Sequence, residues 1–284
     1  MAQGDIMNST TAKKKVALIT GASSGLGKAF AKALLREGMV VYAVARRLDA
    51  MTDLVRFGAI TLKMDITVDD DVRAVVETIE RDHGGVDVLI NNAGFGLYGA
   101  MEDVAIDDAR YQFEVNLFGL ARLTQLVLPS MRKKQAGKII NISSMGGKVY
   151  TPLGSWYHAT KHALEGWSDC LRLELSPFNI DVVVIEPGAI QTEFGSVMMD
   201  PMVQRSGKGP YGDMANAMAA ATEASYQSGG ASDPNVIVKL ILKAVRASKP
   251  KTRYVAGKYA KPMMFIRKWF GDRVFDRIVL SMVH

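Results

Sequence analysis

Two rhythms of apolar residues alternate along the chain. Short, nearly unbroken runs rich in β-branched residues predict strands at 16–20, 40–45, 60–64, 86–91, 138–143, 180–186 and 252–256. Between them, apolar positions at three- and four-residue spacing predict helices over 26–38, 68–83, 107–134, 155–177 and 234–247. The first of these ends at Gly38, a residue favoured just past a helix end. Val182, Val183, Val184 and Ile185 follow one another without polar alternation, as in a strand buried on both faces of a parallel sheet. Alternating strands and helices build βαβ units with right-handed crossovers. The expected fold is therefore α/β, a doubly wound, Rossmann-type parallel sheet of about seven strands in a single domain.

Two stretches break the alternation. Residues 191–233 follow a strand with mixed Met, Gly, Ala and Gln, and an insertion there lies where open α/β sheets bind ligands, so it is expected to form a lid. Residues 263–283 interleave Phe265, Ile266, Trp269, Phe270, Val274, Ile278 and Val279 with Arg267, Lys268, Asp272, Arg273 and Arg277, predicting an amphipathic helix. The organisation expected is a flexible N-terminal tail (1–14), a nucleotide-binding catalytic domain (15–258) and a basic C-terminal extension (259–284).

Composition narrows the classes. With 48% hydrophobic and 23% charged residues among 284, the chain is an ordinary globular protein rather than a disordered one. The lone Cys170 excludes an intramolecular disulfide, and four histidines without paired cysteines leave no expectation of a metal site. No run approaches the ~18–20 apolar residues of a spanning helix. Lys13, Lys14 and Lys15 precede the first strand without a signal-peptide apolar region, so a cytoplasmic setting is expected. The net charge of +6 is uneven: residues 239–284 hold 12 basic and 2 acidic residues, the remainder 23 and 27. A nucleic-acid binder carries its basic stripe on the folded body, so no nucleic acid is expected as partner. The basic tail suits peripheral contact with an anionic membrane surface, a partner subunit or its own domain.

At the first strand–helix junction stand Gly21, Ala22, Ser23, Ser24, Gly25, Leu26 and Gly27. Glycines let a backbone approach a pyrophosphate, and the following helix start offers free N–H groups. The G-x-x-x-G-x-G spacing also fits a plain glycine-rich turn; its place after the first strand favours the nucleotide. At the end of the second strand, an acid would bind a ribose 2′-hydroxyl and an arginine would accommodate a 2′-phosphate. Arg46 and Arg47 occupy that place, with no carboxylate before Asp49, which selects NADP(H) over NAD(H). Tyr157 and Lys161 lie four apart on one helix face, and a cation one turn from a phenol favours its ionised form. The pair can act as a general acid/base.

In this order, residues 20–27, Asp65, Asn91 to Gly94, Asn116, Ser144, Tyr157 with Lys161, and Pro187-Gly188 with Thr192 resemble the short-chain dehydrogenase/reductase family from Lys15 to about Ala256. The resemblance implies an enzyme, an NADP(H)-dependent oxidoreductase interconverting a carbonyl and an alcohol. It implies that Tyr157 exchanges the proton with the reacting oxygen and that Lys161 holds the nicotinamide ribose. Ser144 would hydrogen-bond the reacting oxygen, and Asn116 would interrupt its helix and hold a relay water with Lys161. Ser143 and Ser144 both fit the serine's role; the 13-residue step from Ser144 to Tyr157 matches the hydroxysteroid and retinol dehydrogenase branch. Asp65 and Ile66 would meet adenine, and Asn92, Ala93 and Gly94 would support the cofactor. Pro187, Gly188, Ile190 and Thr192 would flank the nicotinamide. Asn91 and Asn92 also fit a plain strand end, and Asp65 a helix cap. Phe95, Leu97, Tyr98, Tyr150, Leu153, Trp156, Phe194, Met198 and Met199 form an expected substrate wall suited to a lipophilic alcohol or ketone. A homo-oligomer formed through helices 107–134 and 155–177 is implied too. The alternative is a catalytically silent NADP-binding sensor or scaffold of the same fold.

Overall fold

The computed structural model describes residues 13–282. Its first half runs β1 (Val16–Thr20), α1 (Gly25–Arg36), β2 (Val40–Ala45), α2 (Thr52–Arg56), β3 (Ile60–Lys63), α3 (Asp69–His83), β4 (Val88–Asn91) and α4 (Ile106–Phe113). The second half runs α5 (Gly119–Lys134), β5 (Gly137–Ile142), α6 (Ser155–Leu175), β6 (Ile180–Pro187), α7 (Phe194–Ser206), α8 (Gly212–Gln227), α9 (Asn235–Arg246), β7 (Arg253–Ala256) and α10 (Ala260–Leu280). All seven strands pair in parallel, in the order β3-β2-β1-β4-β5-β6-β7. This is the doubly wound sheet expected from the hydrophobic pattern.

Why strands of unbroken hydrophobicity belong here is visible in β1. Ala17 and Ile19 join the core under α1 and α9, while Val16 and Leu18 join the core under α3, α5 and α6. Alternate side chains thus meet two different helix layers, and neither face is left for polar residues. Phe30, Leu34, Ile237 and Ile241 cover one side; Val72, Ile79, Leu123 and Val127 cover the other. The chain order reverses between β1 and β4, and a crevice opens at the carboxyl ends of the strands at such a switch point.

Three expectations about elements are revised. The helix predicted over 107–134 is two helices, α4 and α5, joined by a π-helical turn at Glu114–Phe118. The wider turn carries Asn116 inward, where it is buried, and a period count along the sequence cannot register one extra residue. The tail is not one continuous helix, because Gly271 (φ 74°, ψ −178°) breaks α10 in two. Met263 from the first half and Phe275 and Val279 from the second pack on Val149, whereas Phe265, Trp269 and Phe270 face outward. Finally, the short α2 fills a stretch read as connection. Within the stretch expected as a lid, α7 and α8 pack on one another and on Tyr98, Leu153 and Tyr157. Of the N-terminal tail expected over 1–14, residues 1–12 lie outside the described residues, as do Val283 and His284 at the other end.

Phe30 is fully buried on the α1 side, away from the strand ends where ligands bind. Phe30→Ala should cost about 3–5 kcal/mol of folding stability, read as a lowered urea midpoint at unchanged slope.

Candidate active site

The turn after β1 is shaped by contacts that exclude a side chain. Gly21 (φ 66°) and Gly25 (φ 51°) adopt left-handed backbone. A Cβ on Gly27 would lie 2.5 Å from Asn92 Nδ2 and closer still to the Gly21 carbonyl. Asn92 belongs to the same latch: its Nδ2 donates to the Thr20 carbonyl at 3.0 Å, and the Asn92 and Ala93 amides donate to Thr20 Oγ1 at 3.0 and 2.9 Å. Ser24 makes no side-chain cap at the start of α1, so the first amides of that helix face the crevice uncapped. Thr192, at the start of the stretch beyond β6, stands across from Gly25, 3.8 Å from where a Cβ would lie. Arg46 and Arg47 are exposed at the end of β2, and Arg46 Nη1 donates to the Tyr111 hydroxyl at 2.9 Å. Neither forms an ion pair among the described residues. Uncapped amides, close backbone and two unpaired guanidinium groups are a donor set that fits a dinucleotide with an extra phosphate.

Asp65 sits at the crevice edge beside buried Ile66 and accepts from the Thr67 amide and hydroxyl at 3.0 and 2.8 Å. It therefore also closes the turn before α3. Pro187 ends β6, Gly188 donates its amide to the Ala256 carbonyl, and Ile190 is buried with its carbonyl accepting from Tyr226.

The expected chemistry converges on the buried face of α6. Ser144 lies close enough to Tyr157 to lower its phenol, and its Oγ accepts from the Gly146 amide at 3.0 Å. Lys161 Nζ donates to the Ile142 carbonyl at 2.9 Å and lies 6.0 Å from the Tyr157 ring centre. Burial pushes the Tyr157 phenol up to about 12, against the lowering effect of Ser144. Burial also brings Lys161 down to about 8, with the Glu165 carboxylate holding it up. The sequence argument has the lysine lowering the phenol; in the folded chain desolvation is the larger effect. Asn116 is held by its own contacts: Oδ1 accepts from the Phe95 amide, and Nδ2 donates to the Phe95 carbonyl and to Thr160 Oγ1 at 3.0 and 3.1 Å. A Cβ on Gly94 would approach both Asn116 Oδ1 and Lys161 Nζ, at 3.0 and 3.8 Å, so that glycine separates the two side chains.

The expected substrate wall divides. Phe95, Leu97, Phe194 and Met198 line one cleft of about 190 Å³, and the Phe194 ring lies 5.8 Å from that of Tyr157. Trp156 instead lines an outward groove with Ile106, Phe113 and Phe118. Tyr150 turns to the tail, packing on Phe275 and donating to Asp276 Oδ1 at 2.9 Å. Ser143 is buried against Gly147 with its hydroxyl unpartnered among the described residues.

Sequence patterning leaves several contributors unmarked. His158 is buried behind the loop that follows Ser144. Its Nε2 accepts from the Thr151 amide at 3.1 Å, which leaves Nδ1 to donate to the Gly146 carbonyl at 2.9 Å. Tyr98, which the sequence already places in the substrate wall, has its ring 5.6 Å from that of Tyr157. Behind Lys161, Glu165 Oε2 lies 3.0 Å from both Lys148 Nζ and Arg253 Nη2, and Glu186 Oε1 lies 3.5 Å from Arg253 Nε. Only Glu165 gives a sequence signal, standing one turn beyond Lys161.

Three comparisons bear on this geometry. A family model described as short chain dehydrogenase matches residues 15–201. A 3-ketodihydrosphingosine reductase of Bacteroides thetaiotaomicron is 43% identical over a match covering 63% of this chain and 65% of that protein, just under two thirds of its length. An NADPH-dependent 3-dehydrocapnine reductase of Ornithobacterium rhinotracheale is 35% identical across 93% of this chain and 95% of that one. A solved short-chain dehydrogenase from Streptomyces avermitilis superposes with a TM-score of 0.74 at 32% identity, covering 95% of this chain and 94% of its own.

Glu186 is 1% exposed, and burial, with Glu165 nearby, pushes its carboxyl up to about 7 from an ordinary 4.5. The native chain then binds this proton more tightly than the unfolded chain, so its stabilising contribution is full below pH 4.5 and is lost as pH rises towards 7. Glu186→Gln should remove a slope worth on the order of 2 kcal/mol, measured by urea denaturation at pH 5 and pH 8.

Proposed function

Because this chain belongs to the short-chain dehydrogenase family, we propose that it is an NADP(H)-dependent enzyme interconverting a lipophilic carbonyl compound and its alcohol. Its family membership makes it an oxidoreductase of carbonyl and alcohol groups. The observation that carries the fuller proposal is the meeting of Ser144 and Tyr157 at one buried point, with Lys161 one turn behind. An intact set of this kind argues against the silent sensor or scaffold.

When bound, the nicotinamide supplies or accepts the hydride. The protein's own residues do the rest. The 21–27 turn (Gly21, Ser23, Ser24, Gly25, Leu26, Gly27) holds the pyrophosphate on the uncapped amides of α1, and Arg46 and Arg47 take the 2′-phosphate. Asp65 and Ile66 border the adenine, Asn92 to Gly94 form the crevice floor, and Pro187, Gly188, Ile190 and Thr192 close the nicotinamide end. In reduction Tyr157, protonated at neutral pH, gives its proton to the carbonyl oxygen while the Ser144 hydroxyl hydrogen-bonds the charge developing there. Lys161 holds the ribose, and Asn116 fixes the Phe95 loop beside it. The apolar cleft of Phe95, Leu97, Phe194 and Met198 supports a lipophilic substrate, as do the names of the two reductases. Outward-facing Ile106 and Phe118 on the α4–α5 side support a homo-oligomer.

A second surface is proposed for peripheral membrane contact. Phe265, Trp269 and Phe270 are 56%, 65% and 58% exposed and cluster ring to ring, with Lys268 over the indole. Aromatic and basic groups side by side suit the headgroup region of an anionic bilayer. Among the described residues no helix is long and apolar enough to cross a membrane.

Tyr157→Phe should lower kcat for ketone reduction about a hundredfold or more while NADPH fluorescence titration shows unchanged coenzyme affinity; wild-type turnover by the variant would remove the acid/base assignment. Arg46→Ala with Arg47→Ala should raise KM for NADPH by about tenfold or more and leave KM for NADH as it was. Equal rises for both coenzymes would argue against the 2′-phosphate site.

A further inference from the structure

We propose that the cleft beside Tyr157 ends in a subsite for an anionic group of the substrate, with Arg205 as its ligand; this rests on the oxidoreductase function above and names the class of carbonyl compound it takes. On α7, Phe194, Met198, Pro201 and Arg205 recur at steps of four, three and four, so they share one helix face, and all line the cleft. Three turns of that face are apolar, and the last position is a guanidinium. Opposite, Phe95 and Leu97 complete an apolar wall.

Arg205 is placed with some care by its surroundings. Its Nη1 donates to the Tyr98 carbonyl at 3.1 Å. Gly99 lies under the stem, where an added Cβ would stand 3.4 Å from Arg205 Cδ. Ser206, the next residue, accepts the Ala100 amide at 2.9 Å and so ties the same helix end to the same loop. Among the described residues no acidic side chain forms an ion pair with Arg205, although the side chain is half-buried. A guanidinium carries five donors in a planar fork, and one is used here. A partly desolvated cation without a counter-charge is unfavourable, and an anion would relieve that cost.

The two ends of the cleft are linked. Tyr98, whose carbonyl holds Arg205, has its ring 5.6 Å from Tyr157, and Phe194 at the other end of the stripe lies 5.8 Å from the same ring. A substrate with its carbonyl at Tyr157 and Ser144 therefore lays an apolar segment on Phe194 and Met198 and brings a terminal carboxylate, sulfonate or phosphate to the fork of Arg205. Each of these groups presents a pair of anionic oxygens that can accept two N–H bonds from one guanidinium.

The test uses the NADPH-loaded enzyme and calorimetric titration with octanoate, octane-1-sulfonate, octyl phosphate and octan-1-ol. The anions should bind about tenfold or more tightly than the alcohol, and their ranking identifies the headgroup. Arg205→Gln should erase the preference, and Arg205→Lys should keep part of it. Equal affinity for anions and alcohol, or a Gln variant that weakens all four ligands alike, would overturn the subsite. In parallel, turnover of an oxo-acid is compared with that of its methyl ester; the acid should show the lower KM. Anion-selective binding with neither compound reduced would uphold the subsite and count against the oxidoreductase function proposed.

Discussion

A seam of polar side chains through an otherwise apolar core holds α6 in place. Thr124 on α5 accepts from Asn91 on β4, Asn91 Nδ2 also donates to Asn141 Oδ1 on β5, and Asn141 Nδ2 donates to Ser168 Oγ on α6, with all four residues buried. Each donor in the seam finds an acceptor, which matters because an unpaired polar atom in this environment costs more than its bond returns; Asn91 Oδ1 is left without a partner among the described residues. The seam fixes both the register of β4 against β5 and the rotation of α6 about its axis. That rotation turns Tyr157, Lys161 and Glu165, one turn apart, towards the carboxyl ends of the strands. Sliding α6 by one residue would break the seam and turn the site away at once.

The same constraint explains where small residues are needed. Glycines at 21 and 27 let the β1–α1 turn close on Asn92, and Gly147 gives the chain after β5 room between Ser143 and Glu165. An alanine at Gly147 would place its Cβ 2.9 Å from both Ser143 Oγ and Glu165 Cγ, inside the layer that separates Lys161 from Arg253. Variable segments can then be hung on a rigid floor. The region after β6 contributes α7 and α8, and the tail folds back so that Phe275 braces Tyr150 in the loop beyond Ser144.

Much of this was legible before folding was considered. Continuous apolar runs such as 182–185 specify a strand covered on both sides, and the sheet follows from how many such runs there are. The Tyr157–Lys161 spacing and the glycine turn have local meanings that survive in any context. What was not legible depends on contacts between distant positions. Gly271 is an ordinary small residue in sequence, and only its left-handed φ shows that the tail turns a corner there. The π-helical turn at Asn116 changes the phase of a helix without changing its composition, so only the family resemblance, not the periodicity, implied an interruption there. Tyr150 sits among apolar residues near the site, yet Asp276, more than a hundred residues later, draws its hydroxyl away. Arg253 sits on the last strand, and its partners Glu165, Asp169 and Glu186 come from α6 and β6.

Desolvation acts on the proposed acid and its neighbour in opposite directions. Burial favours the neutral form of each, so the phenol of Tyr157 keeps its proton while the ammonium of Lys161 holds its own less tightly, though still above neutrality. A group with pKa about 12 is a full proton donor at pH 7 and a negligible acceptor. In that state the proposed acid can give its proton to an oxygen that gains negative charge. Alcohol oxidation would first require the phenol to ionise against its burial, with only Ser144 and a Lys161 tied to the Ile142 carbonyl to assist. Glu165 adds to the asymmetry: its carboxylate supports the ammonium, but the salt links to Lys148 and Arg253 divide its charge among three cations. Burial therefore sets the resting protonation of both groups, and the direction of the reaction is left to the substrate and coenzyme concentrations.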